Sequence, residues 1–320
     1  NVAAGWSGGS SNIGGTNGYT FQTFLHEIGH ALGLGHQGLY NAGSGTPTYA
    51  NSAIWANDSW AQTMMSYWDQ AENTEYSTDD YAQLVSPMAV DWIALNTLYA
   101  GQGYGTGNAF NGNTVYGVGT NISNATSEAF AGLAGFADTN AFTIVDGSGI
   151  DTVDFSNYAA DQTINLTPSS ASNNRATLSS VGGLTYNMTI AVGTIIENAT
   201  TGAGNDFLFG NAVDNILTGN GGDDYLSSYG GDDTLYGGSG TDTLYGGDGN
   251  DYLYAGSFTS SDRVYGGAGN DFITSGIGVE TMDGGADNDI IDHREYDGDY
   301  VFDMTTGNTN FGGESYTNFE

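Results

Sequence analysis

A nine-residue repeat that fills residues 201–292 is the strongest constraint on what this chain can fold into. Six copies, from TGAGNDFLF to GGDGNDYLY, follow one another without a gap, and two extra residues precede GGAGNDFIT at 266–274. The eighth position is apolar in every copy, and the sixth is almost always acidic. Because a nine-residue unit cannot bury its apolar residue alone, successive copies must stack and share one core. The repeat predicts a parallel β-roll in which two copies form one coil, each copy supplying a six-residue turn and a three-residue strand.

The Gly-rich turns of this repeat have the composition of a calcium site. Glycine tolerates dihedral angles that expose backbone carbonyls. The acidic sixth position adds a carboxylate beside them, which together give the all-oxygen cage that Ca²⁺ prefers. A Gly-rich roll without metal is the alternative, but so many carboxylates in register would repel one another along the stack. We therefore expect several structural calcium ions. The predicted ligands in the repeat are Gly202, Gly204, Asp206, Gly219, Gly221, Asp224, Asp233, Gly238, Gly240, Asp242, Gly247, Gly249, Asp251, Gly267, Gly269, Asp271 and Asp289.

Composition limits the partners of the chain. The 320 residues include 37 Asp and Glu against three Arg and no Lys, which gives a formal net charge of −34. Such a field repels nucleic acid and anionic membrane surfaces and attracts cations. The chain has no Cys, so a bound metal rather than a disulfide is the available cross-link. No apolar run is long enough to span a membrane, and we expect neither nucleic-acid binding nor membrane insertion.

The sequence HEIGHALGLGH, which begins at His26, has the spacing of a catalytic zinc site. His26 and His30 are four residues apart and therefore share one face of a helix. Glu27 lies beside that face, where it can hold a water as a general base. Gly33 can end the helix with a left-handed turn, which would bring His36 round as the third ligand. Three imidazoles leave a fourth position open, as a catalytic zinc site requires.

The segment TMMSYW at 63–68 follows this motif and contains two adjacent methionines. An isolated Met is usually a core residue. The eleven-residue histidine motif, however, is expected to be followed by a turn that carries a Met below the metal. We expect Met65 to have this position and keep Met64 as the alternative.

These motifs resemble the serralysin-type metzincin metalloproteases of family M10, which carry calcium-binding nonapeptide repeats of the RTX type. The resemblance extends over nearly the whole chain. Besides the histidine motif and the MSYW turn, it is carried by GLYNAGSGTPTYAN (38–51), AVDWIALNTLYA (89–100), VYGVGTN (115–121), VDGSGIDTVDFSNY (145–158) and IIENATTGAGND (195–206).

The resemblance implies a secreted, extracellular bacterial zinc endopeptidase that is exported by type I secretion machinery and folds when it meets calcium. It implies that Tyr67 is a further zinc ligand and stabilises the oxyanion in catalysis. It also implies calcium sites where the two domains join. Their ligands would be the side chains of Asp146, Asp151 and Glu197 and backbone oxygens near Gly112, Thr114 and Gly149.

The fold class expected from these features is α+β. Residues 1–105 would form a metzincin zinc protease domain represented by its C-terminal half. Residues 106–320 would form an all-β, calcium-binding domain that combines a β-sandwich with the parallel β-roll of residues 201–292. The expected function is calcium-stabilised, zinc-dependent hydrolysis of peptide bonds in protein or peptide substrates, by a monomer. The alternative is a calcium-binding surface or adhesion module whose protease domain is inactive or incomplete.

Overall fold

The chain divides into two compact units in a computed structural model. Unit 1 comprises Asn1–Asp151 and Pro168–Ile196, and unit 2 comprises Thr152–Thr167 and Glu197–Glu320. The domain boundary expected near residue 105 stays a prediction. The residues that the structure describes are 19–36, 60, 62–66, 80, 82–123, 127–170, 177–256, 260–274, 281–292, 302–303, 308–309 and 315–319.

The described elements are mostly short strands. The helices are α1 (Tyr19–Ala31), α2 (Ala89–Tyr99) and α3 (Glu128–Ala131), with 3₁₀ turns at Ala100–Gln102, Thr106–Asn108 and Leu133–Gly135. The strands are β1 (Gln83–Leu84), β2 (Val115–Gly117), β3 (Asn140–Ile144), β4 (Thr152–Asp154), β5 (Thr163–Asn165), β6 (Met188–Ile190), β7 (Asn198–Thr200), β8 (Phe207–Asn211), β9 (Ile216–Gly221), β10 (Tyr225–Gly230), β11 (Thr234–Ser239), β12 (Thr243–Asp248), β13 (Tyr252–Gly256), β14 (Arg263–Ala268), β15 (Phe272–Thr274), β16 (Thr281–Ala286), β17 (Ile290–Asp292), β18 (Phe302–Asp303), β19 (Asn308–Thr309) and β20 (Ser315–Thr317). No helix in these described ranges has the length and apolarity to cross a bilayer.

Unit 1 is built around α1, α2 and a small parallel sheet of order β1-β3-β6. Gln22 ties α1 to this sheet, because its buried Oε1 accepts a hydrogen bond of 2.9 Å from the Leu84 N–H. The residues that pack together beneath the helices are largely apolar and almost completely buried. This core contains Leu34, Met64, Met65, Ala82, Leu84, Met88, Leu95 and Ala141.

Unit 2 is the parallel β-roll that the repeat predicts. Strands pair with the strand 18 residues away, as in Leu226↔Leu244, or 20 residues away where two extra residues intervene, as in Leu244↔Val264. Alternate strands belong to different sheets, so two nonapeptides form one coil. The described strands of unit 2 form two sheets. The first has the strand order β18-β19-β20-β16-β14-β12-β10-β8-β5, and the second has the order β17-β15-β13-β11-β9-β7-β4.

The apolar eighth positions form the interior of the roll, as predicted. All of them are completely buried except Ile291, which is half-buried at the end of its sheet. Burial of one Leu side chain is worth about 1.5–3 kcal/mol, and each coil buries two such residues. The strands are longer than predicted, since β9, β10 and β11 each span six residues. Parallel pairing continues into the first positions of the next copy, which leaves a turn shorter than the six residues expected.

Candidate metal centres

The end of α1 sets the direction in which the chain leaves the helix. Gly33 has a φ of +91°, and its N–H donates to His30 O at 3.0 Å, while the Leu34 N–H donates to Gly29 O at 2.9 Å. This pair of bonds is a Schellman motif, which requires a left-handed residue after the last turn. The prediction that Gly33 ends the helix is therefore confirmed, and His36 follows three residues later.

Three imidazoles meet at this point. His36 Nε2 lies 3.1 Å from His26 Nε2 and 3.0 Å from His30 Nε2. All three ligand atoms lie within 4.8 Å of one another. Burial, followed by the charges of His26 and His30, lowers the pKa of His36, and Glu27 acts in the opposite direction. Neutral imidazoles whose nitrogens point at one another form a donor set that fits Zn²⁺.

The opposite ring nitrogens of two of these histidines are held by backbone carbonyls. His26 Nδ1 lies 2.8 Å from Met64 O, and His30 Nδ1 lies 3.0 Å from Leu34 O. A carbonyl can only accept, so each Nδ1 carries the proton and each Nε2 keeps its lone pair for a ligand. Such contacts orient metal ligands and set their tautomer.

Met65 and Met64 lie directly against α1 on the side away from solvent. Both are nearly inaccessible. A Cβ added at Gly29, between the two helix histidines, would overlap Met65 Sδ and Met64 Cε. Both methionines thus contact the helix, and the position of Met65 below the metal stays a prediction. Met64 also supplies the carbonyl that His26 Nδ1 contacts. Tyr67, the predicted fourth ligand, lies outside the described residues.

Asp91 is a residue of this centre that the sequence interpretation missed. It is 2% exposed. Its Oδ1 accepts from Thr63 Oγ1 at 2.5 Å, and its Oδ2 accepts from the N–H groups of Met64 at 2.7 Å and Met88 at 2.9 Å. Burial raises the pKa of Asp91 to about 6, opposed by these three hydrogen bonds. An acidic residue at the third position of the helix, among the apolar residues of its first two turns, was the available signal.

The acidic sixth positions of the repeat form buried rows in unit 2. In each row Oδ1 accepts the N–H of the preceding Asp, as in Asp206 N–H to Asp224 and Asp224 N–H to Asp242, at 2.8 and 2.9 Å. The second oxygen, Oδ2, points to the interior of the turn. It has no hydrogen-bond partner in Asp224, Asp242, Asp251 and Asp271.

These rows are unfavourable without a cation, because buried carboxylate oxygens lose their hydration. Burial raises the pKa of Asp224, Asp242 and Asp251 to about 7 and that of Asp233 and Asp271 to about 6, with neighbouring carboxylates adding to the effect. Orphaned carboxylate oxygens beside backbone carbonyls are a donor set that fits Ca²⁺.

Six of the predicted glycines in the turns have a left-handed backbone, whereas Gly202, Gly204, Gly219 and Gly221 do not. Gly240 has a φ of +132° and Gly249 of +141°. Gly238, Gly247, Gly267 and Gly269 are also left-handed. In the turn that begins at Gly219 the left-handed residues are Asn220 and Gly222, which occupy the same second and fourth positions of the repeat. The predicted ligands Gly219 and Gly221 precede them by one residue. Gly202 and Gly204 lie in the first turn of the repeat, and Asp206 and Asp289 lie in the buried rows.

One turn departs from the pattern. Asn215 replaces the Asp, and its Nδ2 donates to Glu197 O at 2.8 Å. Its Oδ1 accepts the Asn211 N–H at 2.8 Å, and Asn211 Oδ1 accepts the Val213 N–H at 3.1 Å. The side chains therefore close this turn by themselves, without the left-handed residues found elsewhere. Asp262, which the list of predicted ligands omits, is buried in register and accepts the Asp242 N–H.

Five of the six residues predicted for the joining region lie together in unit 1. Asp151 Oδ1 accepts the Thr114 N–H at 2.7 Å, and Thr114 Oγ1 donates to Gly112 O at 3.0 Å. Asp146 is buried and accepts from Tyr116 OH at 2.7 Å. A Cβ at Gly149 would overlap Gly112 O. The sixth, Glu197, is half-buried in unit 2.

One unit thus holds a histidine centre, and the other is an aspartate-lined parallel roll. The peptidase M10 serralysin C-terminal family model matches residues 107–311. The chain therefore belongs to the serralysin-type M10 metallopeptidases, with a β-roll of the RTX type. Residues 1–98 match the reprolysin-like model of metallo-peptidase family M12B.

Similar proteins support the same family. The chain is 42% identical over 202 residues to metallopeptidase AprA of Pseudomonas marginalis, covering 62% of this chain and 39% of the relative. It is 44% identical over 194 residues to serralysin C of Dickeya chrysanthemi, covering 61% and 37%, and 40% identical over 208 residues to serralysin of Photorhabdus luminescens, covering 64% and 39%. The chain thus spans about two fifths of the length of these relatives.

Proposed function

We propose that this chain is the zinc-binding and calcium-binding part of a secreted bacterial endopeptidase that hydrolyses peptide bonds in extracellular proteins. The observation that carries the proposal is the meeting of three imidazole Nε2 atoms at 3.0–3.1 Å, two of them with the tautomer that zinc requires. Residues 1–105 would belong to the catalytic domain and residues 106–320 to the calcium-binding domain, in a monomer exported by type I secretion machinery.

His26, His30 and His36 would hold one Zn²⁺, with Tyr67 as a fourth ligand. Zinc bound there would supply Lewis-acid chemistry, polarising a peptide carbonyl and activating water for attack. Glu27 adjoins the first histidine on an exposed part of α1, so its carboxylate can take the proton from the attacking water and pass it to the leaving amine. Tyr67 would donate a hydrogen bond to the oxyanion.

The buried rows of unit 2 would hold several Ca²⁺ ions. Asp Oδ2 atoms without a hydrogen-bond partner support this assignment, since each needs a cation or a proton in the folded roll. The calcium ions would act in folding and stability rather than in the chemistry. The joining-region residues of unit 1 and Glu197 of unit 2 are proposed as further calcium ligands on the family resemblance.

Casein hydrolysis by the zinc- and calcium-loaded chain tests the proposal. Glu27→Gln should lower the rate by about 10²–10⁴-fold while zinc still binds with one ion per chain. Asp138→Asn, which removes an equal charge from an exposed site in unit 1, should leave the rate unchanged. A wild-type chain that binds zinc but hydrolyses nothing would favour the calcium-binding adhesion module instead.

A further inference from the structure

The segment below the histidines is held from α2 by a single carboxylate. Asp91 accepts three hydrogen bonds, from Thr63 Oγ1 and from the N–H groups of Met64 and Met88. Thr63 Oγ1 in turn accepts the Met65 N–H at 3.0 Å. Each consecutive residue from 63 to 65 is therefore fixed, directly or through one hydroxyl, to Asp91.

The same segment supplies the contact that orients one metal ligand. Met64 donates its N–H to Asp91 and presents its C=O to His26 Nδ1 at 2.8 Å. Asp91 and His26 are thus joined through the backbone of one residue. His30 is held differently, because its Nδ1 contacts Leu34 O within the turn that ends α1. The coupling to Asp91 is therefore specific to the first histidine, whereas α2 reaches the turn that holds His30 through Tyr99 OH, which donates to Leu32 O at 2.7 Å.

We propose that Asp91 is a positioning residue of the zinc centre, which fixes the tautomer and ring orientation of His26 through the Met64 carbonyl. The inference rests on the proposed zinc site. Outer contacts of this kind typically change metal affinity by 10–100-fold when they are lost. Asp91 is buried and would act on the zinc centre through the segment 63–65.

Asp91→Asn is the first test, in the full chain loaded with calcium. The amide keeps the shape but has one acceptor oxygen in place of two, so either the Thr63 hydroxyl or the pair of backbone N–H groups loses its carboxylate acceptor. Zinc affinity, measured by competition with a chromogenic chelator, should fall about 10–100-fold. Far-UV circular dichroism should be unchanged.

Proton exchange separates positioning from a general loss of structure. The ¹⁵N-detected Nδ1–H of His26 should exchange faster in Asp91→Asn, while that of His30 stays as in the wild type. The comparison is made with and without zinc. A wild-type chain that fails to bind zinc would overturn the proposed function, and the metal-free exchange would still decide the role of Asp91.

Thr63→Val provides a second variant in case Asp91→Asn fails to fold. It removes one donor to Asp91 and the acceptor of the Met65 N–H, and should weaken zinc binding several-fold, while Thr63→Ser should restore it. Thr97→Val is the matched control, because Thr97 is an exposed α2 residue whose hydroxyl bonds only Ile93 O at 2.8 Å. Equal zinc affinity in Thr63→Val and Thr97→Val, or equal exchange changes at His26 and His30, would overturn the inference.

Discussion

The two units use metal-binding side chains in opposite ways. In unit 1 three histidines from one eleven-residue motif meet once, and two of them, His26 and His30, are oriented by different backbone carbonyls. In unit 2 the same acidic position recurs every nine residues, and each Asp is held by the Asp of the next coil. The histidine centre therefore depends on individual residues, whereas the roll depends on a register that many residues share.

This difference predicts how far the effect of a substitution or of metal removal extends in each unit. In a stacked solenoid, stability is roughly a sum of coil and interface contributions, so conditions that affect every coil act together. At the histidine centre, by contrast, a substitution changes the packing and the ligand orientation only near the substituted residue. Three tests, from the largest expected effect to the smallest, can break or sharpen the comparison.

Calcium removal at pH 7.5 should have the largest effect, namely loss of the roll. Without cations the buried Oδ2 atoms of each row are left unsatisfied and face neighbouring carboxylates. Circular dichroism during chelator titration should show loss of β signal and its recovery when calcium is returned. Magnesium, which demands octahedral geometry at shorter distances, serves as the control ion. A β signal that survives chelation would show that the roll folds without metal.

Gly29→Ala should destabilise unit 1 by about 1–3 kcal/mol, because the new methyl would overlap Met65 Sδ and Met64 Cε in a filled core. Gly35→Ala in the same motif meets no atom within 4 Å and is the matched control. Urea unfolding of the calcium-loaded variants, followed by Trp fluorescence, gives the comparison. Equal stability of the two variants would mean that the contact between α1 and the methionines is not tightly packed.

The calcium-free roll should become more stable as the pH falls from 8 to 5. Burial raises the folded-state pKa of Asp224, Asp242 and Asp251 to about 7, above the ordinary value near 3.8 for the unfolded chain. The folded form thus binds protons more tightly, and its stability is lost as the pH rises through 7.

Circular dichroism of metal-free protein titrated from pH 8 to pH 5 tests this dependence, because the β signal lost on calcium removal should return as the buried carboxylates take up protons. Added salt at pH 8 is the control, because it screens the exposed charges and leaves the buried carboxylates unpaired. A β signal that stays absent at pH 5 would contradict the assignment of the buried rows. Calcium-loaded protein should respond in the opposite sense, since protons compete with calcium for the same oxygens.

Most of unit 2 was predictable because its pattern is local and repeated. The period of nine, the apolar eighth position and the acidic sixth position predicted the 18-residue register and the buried rows. The predicted strand length of three residues was wrong, because β-sheet pairing continues into the Gly-rich positions once neighbouring coils are stacked, and β9 spans six residues. Asn215 was missed since the closure of its turn depends on Asn211 and the carbonyl of Glu197.

The sequence by itself determined the histidine motif, the left-handed end of α1 at Gly33 and the two-sheet roll, because each follows from spacing along a single element. Only the tertiary structure decided that Asp91 holds Met64 and that Met64 holds His26. Those residues are 27 and 38 positions apart, and hydrogen bonds over such separations depend on how elements pack. No periodic pattern in the sequence predicts these two hydrogen bonds.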